Sequence, residues 1–226
     1  MGIKERHERD RETVRRAILD AARDLFVSEG YGNVSIRKVA ERIEYSPAAI
    51  YGYFPSKDDL FFALADEGFA RLGETVRAER TRFETLTPIE RLRASAWCLY
   101  QFSCDHPQYF ALMFVDRSVP CVSRGYEGFE SARTLREEFL GHIQTCIDTG
   151  ALPPATQLHV VFRLLTVGLL GVAALRLSDR LGAGEHPHAL ARDILDVTIA
   201  GLRTGISLSS QAFPCPLDVR ADAQAS

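Results

Sequence analysis

Apolar residues recur at i, i+3, i+4 and i+7 in one stretch after another of this chain, the spacing that gives a helix one buried face. Ile36, Val39, Ala40 and Ile43 follow it, and Ser35 stands just before them where an N-cap hydroxyl can accept from orphan amides. Ser46 repeats the arrangement, with Pro47 at the first helical position, where no amide is missed. Ile50 and Phe54 form the apolar face of that second helix and Pro55 stops it, so the two predicted helices are short and joined by a tight turn. Upstream, Val14, Ala17, Ile18, Ala21, Ala22, Leu25 and Phe26 predict a helix from Arg11 to Glu29, closed by Gly30. Downstream, Ser56 caps a longer helix carrying Leu60, Phe61, Leu64, Phe69, Leu72 and Val76 to about Arg82. Further helices are expected from Thr87-Pro88, over Pro107–Phe114, and over 127–149, 156–180 and 188–207, with a loop containing Val119, Pro120 and Gly125. No strand-like alternation or internal repeat occurs, so the fold class is all-α.

Two short helices joined by a turn of this kind fit a helix-turn-helix, whose second helix enters the DNA major groove by its N-terminal end. Ala48, Ala49 and Gly52 are small enough to let a backbone approach base edges, and the alanine methyls can pack on the thymine methyl. Tyr51, Tyr53 and Lys57 can reach phosphates. Any all-helical protein contains helix pairs, so a core hairpin with no nucleic-acid role is the competing reading.

Residues 17–64, AILDAARDLFVSEGYGNVSIRKVAERIEYSPAAIYGYFPSKDDLFFAL, resemble the N-terminal domain of TetR-family transcriptional regulators. That resemblance implies a capping hydroxyl at Ser35, a base-contacting side chain at Arg37, groove-facing residues at Ser46, Pro47, Ala48 and Ala49, and phosphate contacts from Tyr51, Tyr53 and Lys57. Two departures stand out. Glu44 and Tyr45 occupy the turn where the family usually has glycine and a small aliphatic residue, and glycine is favoured there because it takes positive φ cheaply. Pro47-Ala48-Ala49 leaves few polar groups on the reading helix, which shifts the expected base readout onto Arg37. The competing role for Arg37 is a surface ion pair with Glu41 at i+4.

Composition narrows the picture. A chain of 226 residues can hold one or two domains, and a net charge of −3 with pI near 6.1 gives no global attraction to nucleic acid. Any DNA affinity must then be local, and Lys4, Arg6, Arg9, Arg11, Arg15 and Arg16 outnumber Glu5, Glu8, Asp10 and Glu12 in the N-terminal arm. The charged N-terminus carries no secretory signal, which points to the cytoplasm. Five cysteines (Cys98, Cys104, Cys121, Cys146 and Cys215) without CxxC spacing argue against a disulfide framework or a metal site, and a redox role is open only at Cys98 or Cys104. Residues 158–177 approach bilayer length, but His159, Arg163 and Arg176 interrupt them, so a buried helix and no membrane is expected. No GxSxG, phosphate-binding loop, GxGxxG or HExxH motif occurs, so neither an enzyme nor a cofactor is expected.

The expected organisation is a DNA-binding domain over 1–56, a helical ligand-binding and dimerisation domain over 57–210, and a disordered tail over 211–226. A two-fold dimer is required to read an operator, and Gly168 and Gly171, with Ile194, Thr198, Gly201 and Gly205, form stripes where helices can approach closely. The resemblance implies the same pair of last helices, a homodimer on double-stranded operator DNA, and repression relieved by a small-molecule effector. Large side chains crowd the middle helices. Trp97, Tyr100, Tyr109, Phe110, Phe114, Phe139 and Phe162, with Gln101, His142 and Arg163 as polar groups, are the candidates for holding an apolar or amphiphilic ligand. The segment YQFSCDHPQYFALMF further resembles a C-terminal domain type of TetR-like proteins named for Trp, His and Gly. Val167 and Leu170 replace the first two here, beside Gly171. A helical ligand-binding or scaffold protein without DNA affinity is the alternative function.

Overall fold

The computed structural model describes residues 3–115, 129–205 and 208. The predicted loop at Val119, Pro120 and Gly125, Cys121, Cys215 and the predicted tail lie outside them. Ten α-helices occur among the described residues: α1 (Ile3–Glu29), α2 (Ile36–Arg42), α3 (Pro47–Tyr51), α4 (Lys57–Ala78), α5 (Arg80–Glu84), α6 (Pro88–Asp105), α7 (Pro107–Phe110), α8 (Glu130–Asp148), α9 (Leu158–Leu177) and α10 (Pro187–Arg203). A 3-10 turn, Tyr31–Asn33, follows α1, and a turn of π-helix, Ala111–Val115, follows α7.

They form two compact units. One draws on Met1–Gly73 and Asp105–Arg133, the other on Glu74–Cys104 and Thr134–Ser226. A break at residue 56, expected from the sequence, does not coincide with this division. The physical reason lies in α4, whose packing partners in the first unit extend past its first turns. Phe69 meets Phe114 at 6.0 Å and Phe129 at 5.7 Å, and Tyr109 Oη donates to Glu67 at 2.6 Å. Gly68 lies so close to Met113 that a β-carbon there would stand 2.3 Å from Met113 Sδ.

In the first unit, Ile18, Ala22, Phe26, Val39, Ala40, Ile50, Phe54, Leu60 and Leu64 make the core between α1 and the short helices. An ion-pair network covers one edge of it. Arg16 bridges Asp20 and Glu67, Arg71 joins Glu67 at 2.8 Å, and Arg23 joins Asp20 at 2.8 Å. Burial pushes the Glu67 carboxyl upward, but hydrogen bonds from Tyr109, Arg16 and Arg71 outweigh it and hold the group below its ordinary range.

In the second unit α9 buries Val161, Leu165, Leu169, Val172 and Ala173. Its 18-residue apolar window has mean hydropathy 2.0 and is long enough to cross a membrane by length and composition. The expectation of a buried helix is met on one face only, because Val167 is 55% and Leu175 40% exposed. Another correction concerns Gly205. It is not part of an α10 stripe: α10 ends at Arg203, and Gly205 follows the cap with φ 73°, a helix stop.

Candidate nucleic-acid interface

The helix pair forms as the hydroxyl positions require. Ser35 has extended backbone and its Oγ accepts from Lys38 N at 3.2 Å, and Ser46 Oγ accepts from Ala49 N at 3.2 Å. Ile36, Val39 and Ala40 of α2 and Ile50 of α3 are buried, which leaves Ser35, Arg37, Ser46, Pro47, Ala48 and Tyr51 exposed on the outside and Ala49 partly covered. The turn keeps its glycine-like geometry without glycine. Glu44 adopts φ 59°, and Tyr45 N donates back to Ala40 O at 2.9 Å. Glu44 therefore sits in left-handed backbone with its side chain exposed.

Arg37 forms the ion pair of its competing role and stays exposed. Its side chain is 81% exposed, and Nε lies 3.0 Å from Glu41 Oε1, an ion pair that solvent weakens. Lys57 differs from the simple phosphate hook expected. Its Nζ donates to Tyr31 O at 2.9 Å and stands 4.1 Å from the Tyr31 ring centroid. Tyr31 in turn donates to Asp58, and burial first, with Asp58 second, pushes its pKa up. Lys57 is thus held over the end of α1 rather than extended into solvent.

Sequence reasoning overlooked one neighbourhood. Helix α1 begins at Ile3, eight residues before the predicted Arg11, and within it Arg11 lies over the Tyr53 ring at 5.8 Å and Arg15 over Phe54 at 5.3 Å, a pairing with the reading helix that their sequence positions do not show. Apolar spacing gives no signal for the earlier start, because residues 5–10 are all exposed. The result is a cluster of cationic and aromatic groups beside the reading helix, from a chain whose overall charge is negative.

Residues 18–64, which carry this geometry, match the family model of bacterial regulatory proteins of the tetR family, and residues 92–198 match the tetracyclin repressor-like C-terminal domain. The chain belongs to the TetR family. Among its relatives, the HTH-type transcriptional repressor Rv1474c of Mycobacterium tuberculosis is 42% identical over 65 residues, 29% of this chain and 35% of that protein. The repressor AcnR of Corynebacterium diphtheriae is 40% identical over 62 residues, 27% and 33% of the two chains, so the chain spans about a third of the length of these curated relatives. Among solved structures, the fatty acid degradation regulator FadR from Bacillus halodurans has TM-score 0.66 at 16% identity, covering 83% of this chain and 99% of its own. A Rhodococcus protein of unknown function has TM-score 0.68 at 21% identity, with 84% and 95% covered. At these identities the likeness is one of fold.

The remaining candidates of this TetR-family chain divide between its units. Tyr109, Phe110 and Phe114 fall in the first, where Tyr109 is 5% exposed and tied to Glu67, and Phe110 packs on Phe114 at 5.0 Å. The others fall in the second. Trp97 and Tyr100 pack in a tilted pair at 5.0 Å, Phe139 meets Phe162 edge-on at 5.6 Å, and His142 meets Phe83 at 6.3 Å. Burial, then the Arg91 charge, lowers the His142 pKa and keeps the ring neutral. Gln101 and Arg163 turn to the exposed faces of their helices, away from these rings. Cys98 is buried and its thiol is pushed up to about 11, chiefly by burial, which leaves it unreactive. Of the stripe residues, Gly168 approaches Ile194 of the same chain, where a β-carbon would stand 2.5 Å from Ile194 Cγ2, so this contact is made within the protomer. Thr198 and Gly201 are half-covered, while Gly171 is exposed with open space above it.

Proposed function

We propose that this chain is a DNA-binding transcriptional repressor of the cytoplasm, acting as a homodimer on double-stranded operator DNA and released by an apolar or amphiphilic small molecule. The observation that carries the reading is the pair of serine-capped helices whose outward face (Arg37, Ser46, Pro47, Ala48 and Tyr51) is left exposed. The repressor names of the relatives matched over this segment support it. Exposed Val167, Gly171 and Leu175 on α9 and Val197 on α10 support dimerisation, since a covered apolar face of this kind stabilises a two-fold contact. Ligand release requires only that the effector favour a conformation with weaker operator affinity, by about 1–3 kcal/mol of coupling.

The deciding experiment is a gel shift against the DNA upstream of the chain's own gene, repeated over a range of salt concentrations. A saturable shift whose affinity falls steeply with salt, with a slope of about −0.9 per phosphate contacted, is expected. Absence of any shift for the folded dimer at low salt would instead mark a helical binding protein without DNA affinity.

A further inference from the structure

The turn between α2 and α3 presents one large side chain to which no role has been given, that of Tyr45. Helix α2 closes with two backbone bonds. Glu44 N donates to Glu41 O at 3.3 Å, and Tyr45 N donates past it to Ala40 O at 2.9 Å, with Glu44 in left-handed backbone between them. The next residue, Ser46, caps α3 through its Oγ. Tyr45 is thereby the second residue past the cap of α2 and the residue just before the cap of α3, so its backbone is fixed from both sides. Both positions ordinarily take an apolar side chain, one packing back on the finished helix and the other on the first turn of the new one. The corresponding partners here are Ala40 and Ile50, each 0% exposed, and a small aliphatic residue is enough for either contact. Tyr45 is larger than that and remains 45% exposed.

Among the described residues, Tyr45 and Tyr51 are the exposed members of the phenylalanine, tyrosine and tryptophan set, and they stand at opposite ends of α3. A reading helix enters the major groove by its N-terminal end, which is the end that Tyr45 flanks. That end offers few hydrogen-bonding groups. Pro47, Ala48 and Ala49 have none in their side chains, and the Ser46 oxygen already accepts from the Ala49 amide. An apolar surface in the groove has one base feature to recognise, the C5 methyl of thymine, because the other base edges present donors and acceptors that a ring would leave unpaired. An aromatic face on a fixed turn suits that contact, with its hydroxyl left at the wet edge.

We propose that Tyr45 reads a thymine in each operator half-site by laying its ring against the C5 methyl, which makes it a specificity-determining residue of the turn. The inference rests on the reading of the chain as a DNA-binding regulator. A tyrosine that only covered Ala40 and Ile50 would have no influence on which sequence is bound.

The test is binding-site selection on randomised duplexes with the full-length protein and with Tyr45→Val and Tyr45→Phe. Tyr45→Val keeps an aliphatic side chain for the turn, and is expected to lose the preference for thymine at one position of each half-site while Tyr45→Phe keeps it. On the selected operator, that thymine is then replaced by deoxyuridine, which lacks only the methyl. The replacement is expected to weaken binding of the parent about threefold or more and to leave Tyr45→Val within about 1.5-fold. A motif unchanged in Tyr45→Val, weakening that is uniform over all sequences, loss of the preference in Tyr45→Phe as well, or equal deoxyuridine effects in the parent and Tyr45→Val overturns the inference. So does a thermal midpoint of Tyr45→Val lower by about 10 °C or more, since the ring would then be taken up by the fold of the turn. A folded parent that shifts no DNA at low salt removes the regulator reading itself, whereas a parent motif shared by both variants removes only the part given to Tyr45.

Discussion

Arg37 and Glu44 stand seven residues apart in the reading head and pull in different directions. An ion pair as exposed as Arg37 with Glu41 contributes little to folding, so Arg37→Ala should shift stability by less than about 0.5 kcal/mol. On DNA the same change should cost about 1–3 kcal/mol and relax preference at one base position, measured by binding-site selection and titration. A selected motif identical to that of the parent would remove Arg37 from base readout. Glu44 holds φ 59°, a conformation that costs a side-chain-bearing residue about 1–2 kcal/mol. Glu44→Gly should therefore raise the thermal midpoint and, by removing a negative charge from the turn, tighten operator binding as well. A drop in midpoint would show that the glutamate side chain has a stabilising contact that outweighs its backbone strain.

Elements are coupled most visibly through Glu67 on α4, which receives Tyr109 from α7 and Arg16 from α1. Its folded-state pKa lies below the ordinary carboxylate value, so the stability it contributes is fully present above about pH 4.3 and is lost as pH falls through the lowered folded value. Glu67→Gln should lower stability near pH 7 by about 1 kcal/mol or more and flatten the acid limb of the pH-stability curve, followed by denaturant titration. An acid limb unchanged from the parent would assign that loss to other carboxylates, Asp20 among them. The two glycines of α9 separate folding from association. Gly168→Ala drives a β-carbon into Ile194 and should cost about 1–3 kcal/mol of stability, whereas Gly171→Leu, over open space, should leave the folded chain intact and change the dimer, read by light scattering. Equal effects of both on stability alone would place Gly171 outside the association surface.

At the scale of the whole molecule, the local signals were the legible ones. Ser35 and Ser46 announced both helix starts, and the 3.6-residue spacing from Val14 to Phe26 and from Leu60 to Leu72 announced the helices that bury those faces. What the sequence concealed was long-range pairing. Tyr109, read as a ligand contact because aromatic residues suit pockets, is tied to a carboxylate 42 positions away, and nothing in its neighbours' spacing marks that partner. The same limit hid the contact of Arg176 with Ser103, 73 positions earlier, and it let Gly168 be read as an association surface when Ile194 of the same chain fills it. The hydroxyl caps and the lysine seated on Tyr31 have a further consequence, which concerns heat rather than geometry. A reading head whose amides and ammonium are already engaged does not have to fold on the operator, so calorimetry should record the modest negative heat-capacity change of docking two preformed surfaces. A change large enough for burial of about 1,000–3,000 Å² would mean instead that the head acquires its structure on DNA.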